Sequence, residues 1–183
     1  MTVRNTIARW GHVSQFLHWL IVVLLIVQVT LGSLADDAPL AKKLALLAWH
    51  KSVGITVLGL AIVRLLWRWL NPTPELPNTL KPYERVLASV THAALYILLF
   101  AMPLSGWLMS SARGFPVSWF KLVQLPDLVP KNKPLYDAML QTHHAFAVVL
   151  YTIVFLHVGA ALKHHFMLKD DVLKRMLPFT KSR

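Results

Sequence analysis

The sequence predicts an all-α integral membrane protein, a four-helix up-and-down bundle that forms one domain over residues 1–183. Hydrophobic residues make up 56% of the 183 residues, which is high for a soluble domain. Four apolar stretches are long enough to cross a bilayer, and they predict helices at about 13–34, 46–70, 83–110 and 141–168. The remaining segments are too short to form a second globular domain.

The segments between the helices support an alternating order. The loop at 35–45 is short and polar, so the first two helices are expected to be antiparallel neighbours. The connector at 71–77 contains three prolines and is predicted to be rigid and non-helical. Pro103 predicts a kink in the third helix. The longest loop is expected at 111–141, with its aromatic segment 115–120 lying in the membrane interface.

The net charge of +11 is explained by the membrane topology. Twelve lysines and arginines flank the side that holds both termini, against seven on the other side, with four acidic residues on each. The positive-inside rule therefore predicts that both termini are cytoplasmic. A basic cytoplasmic face suits anionic membrane lipid, and no nucleic-acid partner is expected.

Cysteine is absent from the chain. Its absence excludes disulfides, iron–sulfur clusters held by thiolates, and haem attached covalently through cysteine. Any haem in this protein must be held by axial ligands and packing.

Nine histidines are present, and most lie in or beside the apolar segments, where an ionisable side chain usually faces a partner or a cavity. His143 and His157 are fourteen residues apart on the fourth helix, so their directions differ by about 40° while they lie about 21 Å apart along the axis. His18 and His50 are on the first and second helices. Helix order pairs His18 with His157 and His50 with His143, and two neutral imidazoles fill both axial positions of a haem iron. The spacing thus predicts two b-type haems, with these histidines as the iron ligands.

His144 competes with His143 for one ligand position. It lies thirteen residues before His157, and their directions differ by about 140°. Helical phase therefore favours His143 as the ligand and places His144 in the interface.

Four further residues are candidates for roles beside the haems. His164 and His92 are candidates for a quinone site or for hydrogen bonding to a haem propionate, and their alternative interpretation is as interfacial histidines. Arg64 and Arg68 follow His50 by fourteen and eighteen residues and are candidates to pair with a haem propionate, since guanidinium groups bind carboxylates in two-point contacts. Positive-inside anchoring is the simpler explanation for both arginines.

Several segments are similar to one known family. They are His18-Trp19, Trp49-His-Lys-Ser-Val-Gly54, Asn71-Pro-Thr-Pro74, Thr91-His-Ala-Ala-Leu-Tyr96, Ala101-Met-Pro-Leu-Ser-Gly106, Leu156-His157, Lys163-His-His-Phe166 and Lys169-Asp170. Together they resemble the bacterial cytochrome b561 family along nearly the entire chain. The resemblance implies a four-helix protein of the bacterial inner membrane with two b-type haems. The family's ligand pattern falls on His18, His50, His143 and His157.

In length and in its C-terminal tail the chain closely resembles the superoxide oxidase branch of that family, which implies electron transfer from periplasmic superoxide through the haems to ubiquinone. No catalytic residue is assigned beyond the haem relay. The presumed outer side has a net charge of +3, from seven basic and four acidic residues, which attracts small anions. One alternative is a non-enzymatic haem anchor that passes electrons between quinol and a periplasmic redox partner. Another is a histidine-lined transporter or metal channel, for which inverted internal similarity is not seen.

Overall fold

The computed structural model describes residues 2–77 and 80–180. The four long helices are α1 (His12–Asp36), α2 (Leu40–Trp69), α3 (Pro82–Arg113) and α4 (Lys133–Lys163). A π-helical turn at His164–Leu168 extends α4, and a short helix α5 follows at Val172–Met176. Lys181 and Arg183, which the charge argument counts on the cytoplasmic side, lie outside the described residues.

Each of the four long helices is long and apolar enough to cross a membrane. Large apolar side chains are exposed on their surfaces; Ile26 is 62% exposed and Phe155 is 77% exposed. A water-soluble domain rarely exposes so much contiguous apolar surface, whereas lipid contacts such side chains without cost. The chain is therefore a multi-pass membrane protein with the predicted all-α class.

The chain forms two compact units, and each unit contains a part of every long helix. Unit 1 comprises the residues up to Leu20, Ile62–Ile97 and the residues from Val149 onward. Unit 2 comprises Ile21–Ala61 and Leu98–Val148. The expectation of one domain stays a prediction.

The predicted start of the fourth helix near residue 141 is wrong, because α4 begins at Lys133. The side-chain Oδ1 of Asn132 accepts a hydrogen bond of 3.0 Å from the backbone N–H of Leu135 and so caps the first turn. Pro134 also suits the first turn, where its missing N–H has no helical partner. The loop between α3 and α4 is consequently shorter than predicted and covers 114–132.

That loop folds back onto α2 within unit 2. It contains an antiparallel pair of short strands, β1 (Ser118–Trp119) and β2 (Val123–Gln124). The indole Nε1 of Trp119 donates to Thr56 Oγ1 at 3.0 Å. Ser52 Oγ donates to Ser118 O or Ala48 O and accepts from Phe120 N–H at 3.0 Å. The aromatic segment therefore packs on α2, and its position in the membrane interface stays a prediction.

In unit 1 the N-terminal segment is tied to the C-terminal segment. The Gln15 side chain is 2% exposed, and its Nε2 donates to the carbonyl oxygens of Arg175 and Leu177. The indole of Trp19 donates to Met176 O at 3.0 Å. These bonds fix the beginning of α1 on both sides of His18.

Candidate functional site: two histidine pairs

The first histidine pair lies in unit 1 and consists of His18 on α1 and His157 on α4. The centroids of the two imidazole rings are 6.4 Å apart, and the ring planes cross at 69°. Neither ring is fully exposed. We call this arrangement site 1.

The second pair lies in unit 2 and consists of His50 on α2 and His143 on α4. Its ring centroids are 6.3 Å apart, and the planes cross at 71°. We call this arrangement site 2. His144, the competing residue, is exposed, while His143 is the residue that contacts His50.

Both separations suit a single metal atom held between two imidazoles. A metal–imidazole bond is about 2.0 Å long and a ring nitrogen lies about 1.1 Å from the ring centre, so two opposed ligands have centroids about 6 Å apart. Among residues 2–77 and 80–180, no cluster of three or more histidine or acidic side chains is arranged to hold a metal ion. Each pair of imidazoles would hold the iron of one haem, which would supply a one-electron carrier. The residues present therefore fit haem, although axial ligation by these histidines stays a prediction.

Glycines on neighbouring helices admit the rings of site 2. A Cβ atom on Gly106 of α3 would lie 3.2 Å from Cε1 of His143, which is tighter than nearly all such contacts. A Cβ atom on Gly32 of α1 would lie 3.5 Å from Cε1 of His50. The His143 ring therefore depends on the absence of a side chain at position 106, whereas a Cβ at position 32 would make an ordinary contact with the His50 ring.

The Nδ1 atoms of site 2 have hydrogen-bond partners. His50 Nδ1 is 3.1 Å from the backbone carbonyl of Gln28. His143 Nδ1 is 2.9 Å from Ser105 Oγ. In a metal-bound histidine the partner of one ring nitrogen determines which nitrogen is free for the metal, so these contacts would leave Nε2 of each ring for a metal.

Site 1 is bordered by a positive charge and by buried donors. The guanidinium of Arg64 is close enough to act electrostatically on His18 and His157. Its Nε donates to Tyr96 OH at 3.3 Å, whereas its buried Nη1 has no partner among the described residues. The buried indole Nε1 of Trp67, three residues further along α2, also lacks a partner within 2–77 and 80–180. Two buried donors on neighbouring turns suit a carboxylate such as a haem propionate.

Arg68 makes other contacts. Its guanidinium lies 5.8 Å from the ring centroids of both Trp10 and Tyr96, which are cation–π contacts. Of the two arginines considered for a propionate, Arg64 is therefore the one with a buried donor available.

The two candidate quinone residues lie in different surroundings within unit 1. The His92 ring contacts His157, with centroids 5.4 Å apart, which is shorter than two ligands of one metal require. His164 Nδ1 is 2.5 Å from Asp170 Oδ2, and both side chains are largely buried, at 14% and 17% exposed. The π-helical turn that begins at His164 and the left-handed Lys169 bring Asp170 back to that ring.

Four apolar membrane helices with paired imidazoles at this separation fit the class of membrane electron-transfer proteins that hold haem without covalent attachment. The sequence pattern of the family described as prokaryotic cytochrome b561 matches residues 9–179, so the chain belongs to that family. The family consists of membrane oxidoreductases that transfer electrons by way of b-type haem.

Three relatives are similar along most of their length. Cytochrome b561 homolog 2 of Escherichia coli (strain K12) is 35% identical over 97% of this chain and 95% of the relative. Probable superoxide oxidase CybB of Yersinia pestis is 33% identical over 88% of this chain and 92% of the relative. Cytochrome b561 homolog 1 of Escherichia coli (strain K12) is 27% identical over 93% and 97%, respectively.

Sequence reasoning missed four groups at these sites: the Ser105 hydroxyl, the Gln28 carbonyl, the Trp67 indole and Gly32. A backbone carbonyl has no sequence signature, and nothing in the sequence shows which glycine lies beside an imidazole. For Trp67 a signal was available, since its spacing of three residues from Arg64 places both on one helix face. Ser105 lies in the family-like segment 101–106, which was the available signal.

Proposed function

We propose that this protein is a superoxide oxidase of the bacterial inner membrane, which takes electrons from periplasmic superoxide and delivers them to ubiquinone by way of two b-type haems. The observation that supports it most is the pair of imidazole separations, 6.4 Å and 6.3 Å, in a membrane protein of this family. The choice of superoxide is supported by the similarity to probable superoxide oxidase CybB of Yersinia pestis.

In this proposal the chain supplies four axial ligands. His18 and His157 hold one haem, and His50 and His143 hold the other. Each bound haem supplies a carrier for one electron. Since cysteine is absent, axial ligation and packing hold both groups in place.

Site 2 is assigned to the periplasmic side and to superoxide. The loop that packs on α2 near His50 has exposed Lys121 at its strand turn, and Lys51 donates from α2 to Pro116 O at 3.3 Å. Positive charge of this kind raises the local concentration of a small anion. Two superoxide anions each lose one electron and leave as O₂.

Site 1 is assigned to the cytoplasmic side and to ubiquinone, with His164 and His92 as the quinone-binding residues. Ubiquinone takes two electrons and two protons to become ubiquinol. Because Asp170 binds Nδ1 of His164, the ring is held with Nε2 directed away from that carboxylate. An imidazole oriented in this way can donate to a quinone oxygen and take a proton from water.

The distribution of lysines and arginines supports an orientation with both termini in the cytoplasm. The basic residues on that side face the anionic lipid of the inner membrane.

Arg64 is proposed to bind a propionate of the haem at site 1, with Trp67 as a second donor. The test compares Arg64→Gln with Arg68→Gln, two identical changes one helical turn apart. We expect Arg64→Gln to weaken retention of one haem and Arg68→Gln to leave both in place. Equal haem loss in the two variants would refute the assignment, because Arg68 already lies against Trp10 and Tyr96.

The substrate is tested with pulsed superoxide. Purified protein containing haem is mixed with ubiquinone, superoxide is generated within the dead time, and haem reduction is followed by its visible bands. We expect reduction to precede dismutation and to vanish when superoxide dismutase is added first. Reduction no faster than spontaneous dismutation would exclude superoxide as the donor.

A second candidate function is a haem anchor that passes electrons between quinol and a periplasmic redox partner. Leu122 is 75% exposed and Val123 is 53% exposed at the turn of the strand pair, and such apolar side chains suit a docking surface. This function predicts slow reduction by superoxide and reduction by a co-purifying subunit. The pulsed experiment therefore separates the two functions.

A further inference from the structure

The two sites have the same ligand type but differ in what the Nδ1 atoms contact. At site 2 both Nδ1 atoms have oxygen partners, the Gln28 carbonyl at 3.1 Å and Ser105 Oγ at 2.9 Å. At site 1, no hydrogen-bond partner for Nδ1 of His18 or His157 is found among residues 2–77 and 80–180. This difference in hydrogen bonding changes the electron density on the ligand nitrogens of the two sites.

The direction of the hydrogen bonds at site 2 can be worked out from the available protons. A carbonyl oxygen only accepts, so His50 Nδ1 carries a proton and donates it to Gln28 O. Ser105 has one hydroxyl proton, and it donates that proton to Met102 O at 2.8 Å. Ser105 Oγ therefore accepts from His143 Nδ1–H, and the Met102 carbonyl is a second acceptor for that ring. Both rings are thus fixed as the tautomer that leaves Nε2 for iron.

An imidazole that donates from Nδ1 is a more basic ligand through Nε2. A more basic ligand stabilises the oxidised iron relative to the reduced iron and lowers the reduction potential. Ser105 is 6% exposed, so water does not replace its oxygen when the hydroxyl is removed. The two acceptors at site 2 therefore both lower the reduction potential of a haem bound there.

The surroundings of site 1 act in the opposite direction. The positive charge of Arg64 acts on both His18 and His157. Addition of an electron to haem iron lowers its positive charge, so a nearby cation favours the reduced form and raises the potential.

We propose that Ser105 and the Gln28 carbonyl are positioning groups that give the haem at site 2 the lower reduction potential, so that electrons move from site 2 to site 1. This proposal rests on the proposed di-haem function and adds the groups that make transfer from site 2 to site 1 favourable. Ser105 acts through His143 and contacts no substrate.

The test is a spectroelectrochemical titration of the full-length protein with its haems bound, comparing Ser105→Ala with Ser89→Ala. Ser89 is on the same helix, and its hydroxyl donates only to a backbone carbonyl, that of Arg85 at 3.0 Å. We expect Ser105→Ala to raise the lower midpoint potential and to leave the higher one unchanged. We expect the loss of this partner to change the ratio of oxidised to reduced haem by about tenfold, the lower end of the effect that outer-shell partners have on metal affinity. A tenfold change in the ratio of oxidised to reduced haem is about 59 mV for one electron. Ser89→Ala should move neither potential.

Two further variants complete the test. Ser105→Thr keeps the hydroxyl, so the lower potential should stay at its value in the unsubstituted protein. Ser105→Cys replaces the hydroxyl by a weaker acceptor and should raise the lower potential by less than Ser105→Ala does. The cysteine variant therefore tests the inference even if the alanine variant does not accumulate. His157→Ala retains the haem of site 2, and its single remaining potential should match the lower of the two.

Three results would overturn the inference: movement of the higher potential on Ser105→Ala, movement of neither, or a match of the His157→Ala protein to the higher potential. Failure of the proposed function looks different, since it would appear as protein without two haems or as no reaction with superoxide.

Discussion

Gly106→Ala tests whether His143 is a ligand whose position is set by close packing. The new Cβ would lie 3.2 Å from Cε1 of His143, so the ring must move by a few tenths of an ångström. Metal–ligand distances in proteins vary by only about 0.2 Å, so a displacement of a few tenths of an ångström exceeds what an iron–imidazole bond tolerates. The same movement disturbs the 2.9 Å contact of Nδ1 with Ser105. We therefore expect weaker ligation at site 2.

Gly32→Ala is the matched control, because it makes the same change beside the other ring of the same pair. Its Cβ would lie 3.5 Å from Cε1 of His50, which is an ordinary van der Waals contact. Both substitutions replace glycine within a helix and gain about 1 kcal/mol of helix propensity. Any difference between the two variants therefore reports the contact with the imidazole.

Haem per protein and the visible spectrum measure the outcome. We expect Gly32→Ala to retain both haems with an unchanged spectrum. For Gly106→Ala we expect about 10- to 100-fold weaker retention of one haem, the loss typical of a disturbed ligand shell. If the two variants retain haem equally through washing and dilution, close packing against Gly106 does not set the position of His143.

Three further outcomes are expected. His157→Ala should leave one haem per protein and His144→Ala two, measured as the pyridine haemochrome. Because the ring planes cross at 69° and 71°, the oxidised protein should give low-spin electron paramagnetic resonance signals dominated by one large g value, and rhombic three-line signals would contradict the crossed geometry. Ser52→Ala removes the partner of Phe120 N–H and should destabilise the packed loop by about 2 kcal/mol, seen as faster amide hydrogen exchange at 118–124.

The existence and order of the helices could be predicted because lipid imposes a simple requirement. A spanning segment must be long, apolar and helical, since no water is available to its backbone. The start of α4 was missed for a related reason. Residues 133–140 include charged side chains, so the hydropathy pattern places the start of the helix too late. The signals that extend it are local ones, the cap at Asn132 and the proline at 134.

The facing histidines could be predicted from phase, and their surroundings could not. Fourteen residues of α-helix return nearly to the same direction, whatever the side chains between them. The partner of an Nδ1 atom depends instead on a rotamer and on how closely two helices approach. Gln28 contributes through its backbone, which any residue type would provide at that position. Ser105 is one of several small residues on α3, and only the structure shows that its oxygen contacts His143.

Identical ligands cannot by themselves give electron transfer a direction. If all four axial ligands are imidazoles, the ligand type contributes equally to both reduction potentials, and any difference must come from the surroundings. In this chain the surroundings differ in kind, with neutral oxygen acceptors behind one pair and a guanidinium beside the other. A substitution at a ligand should therefore remove a haem, whereas a substitution at Ser105 or Arg64 should change the difference in potential that makes transfer from one haem to the other favourable.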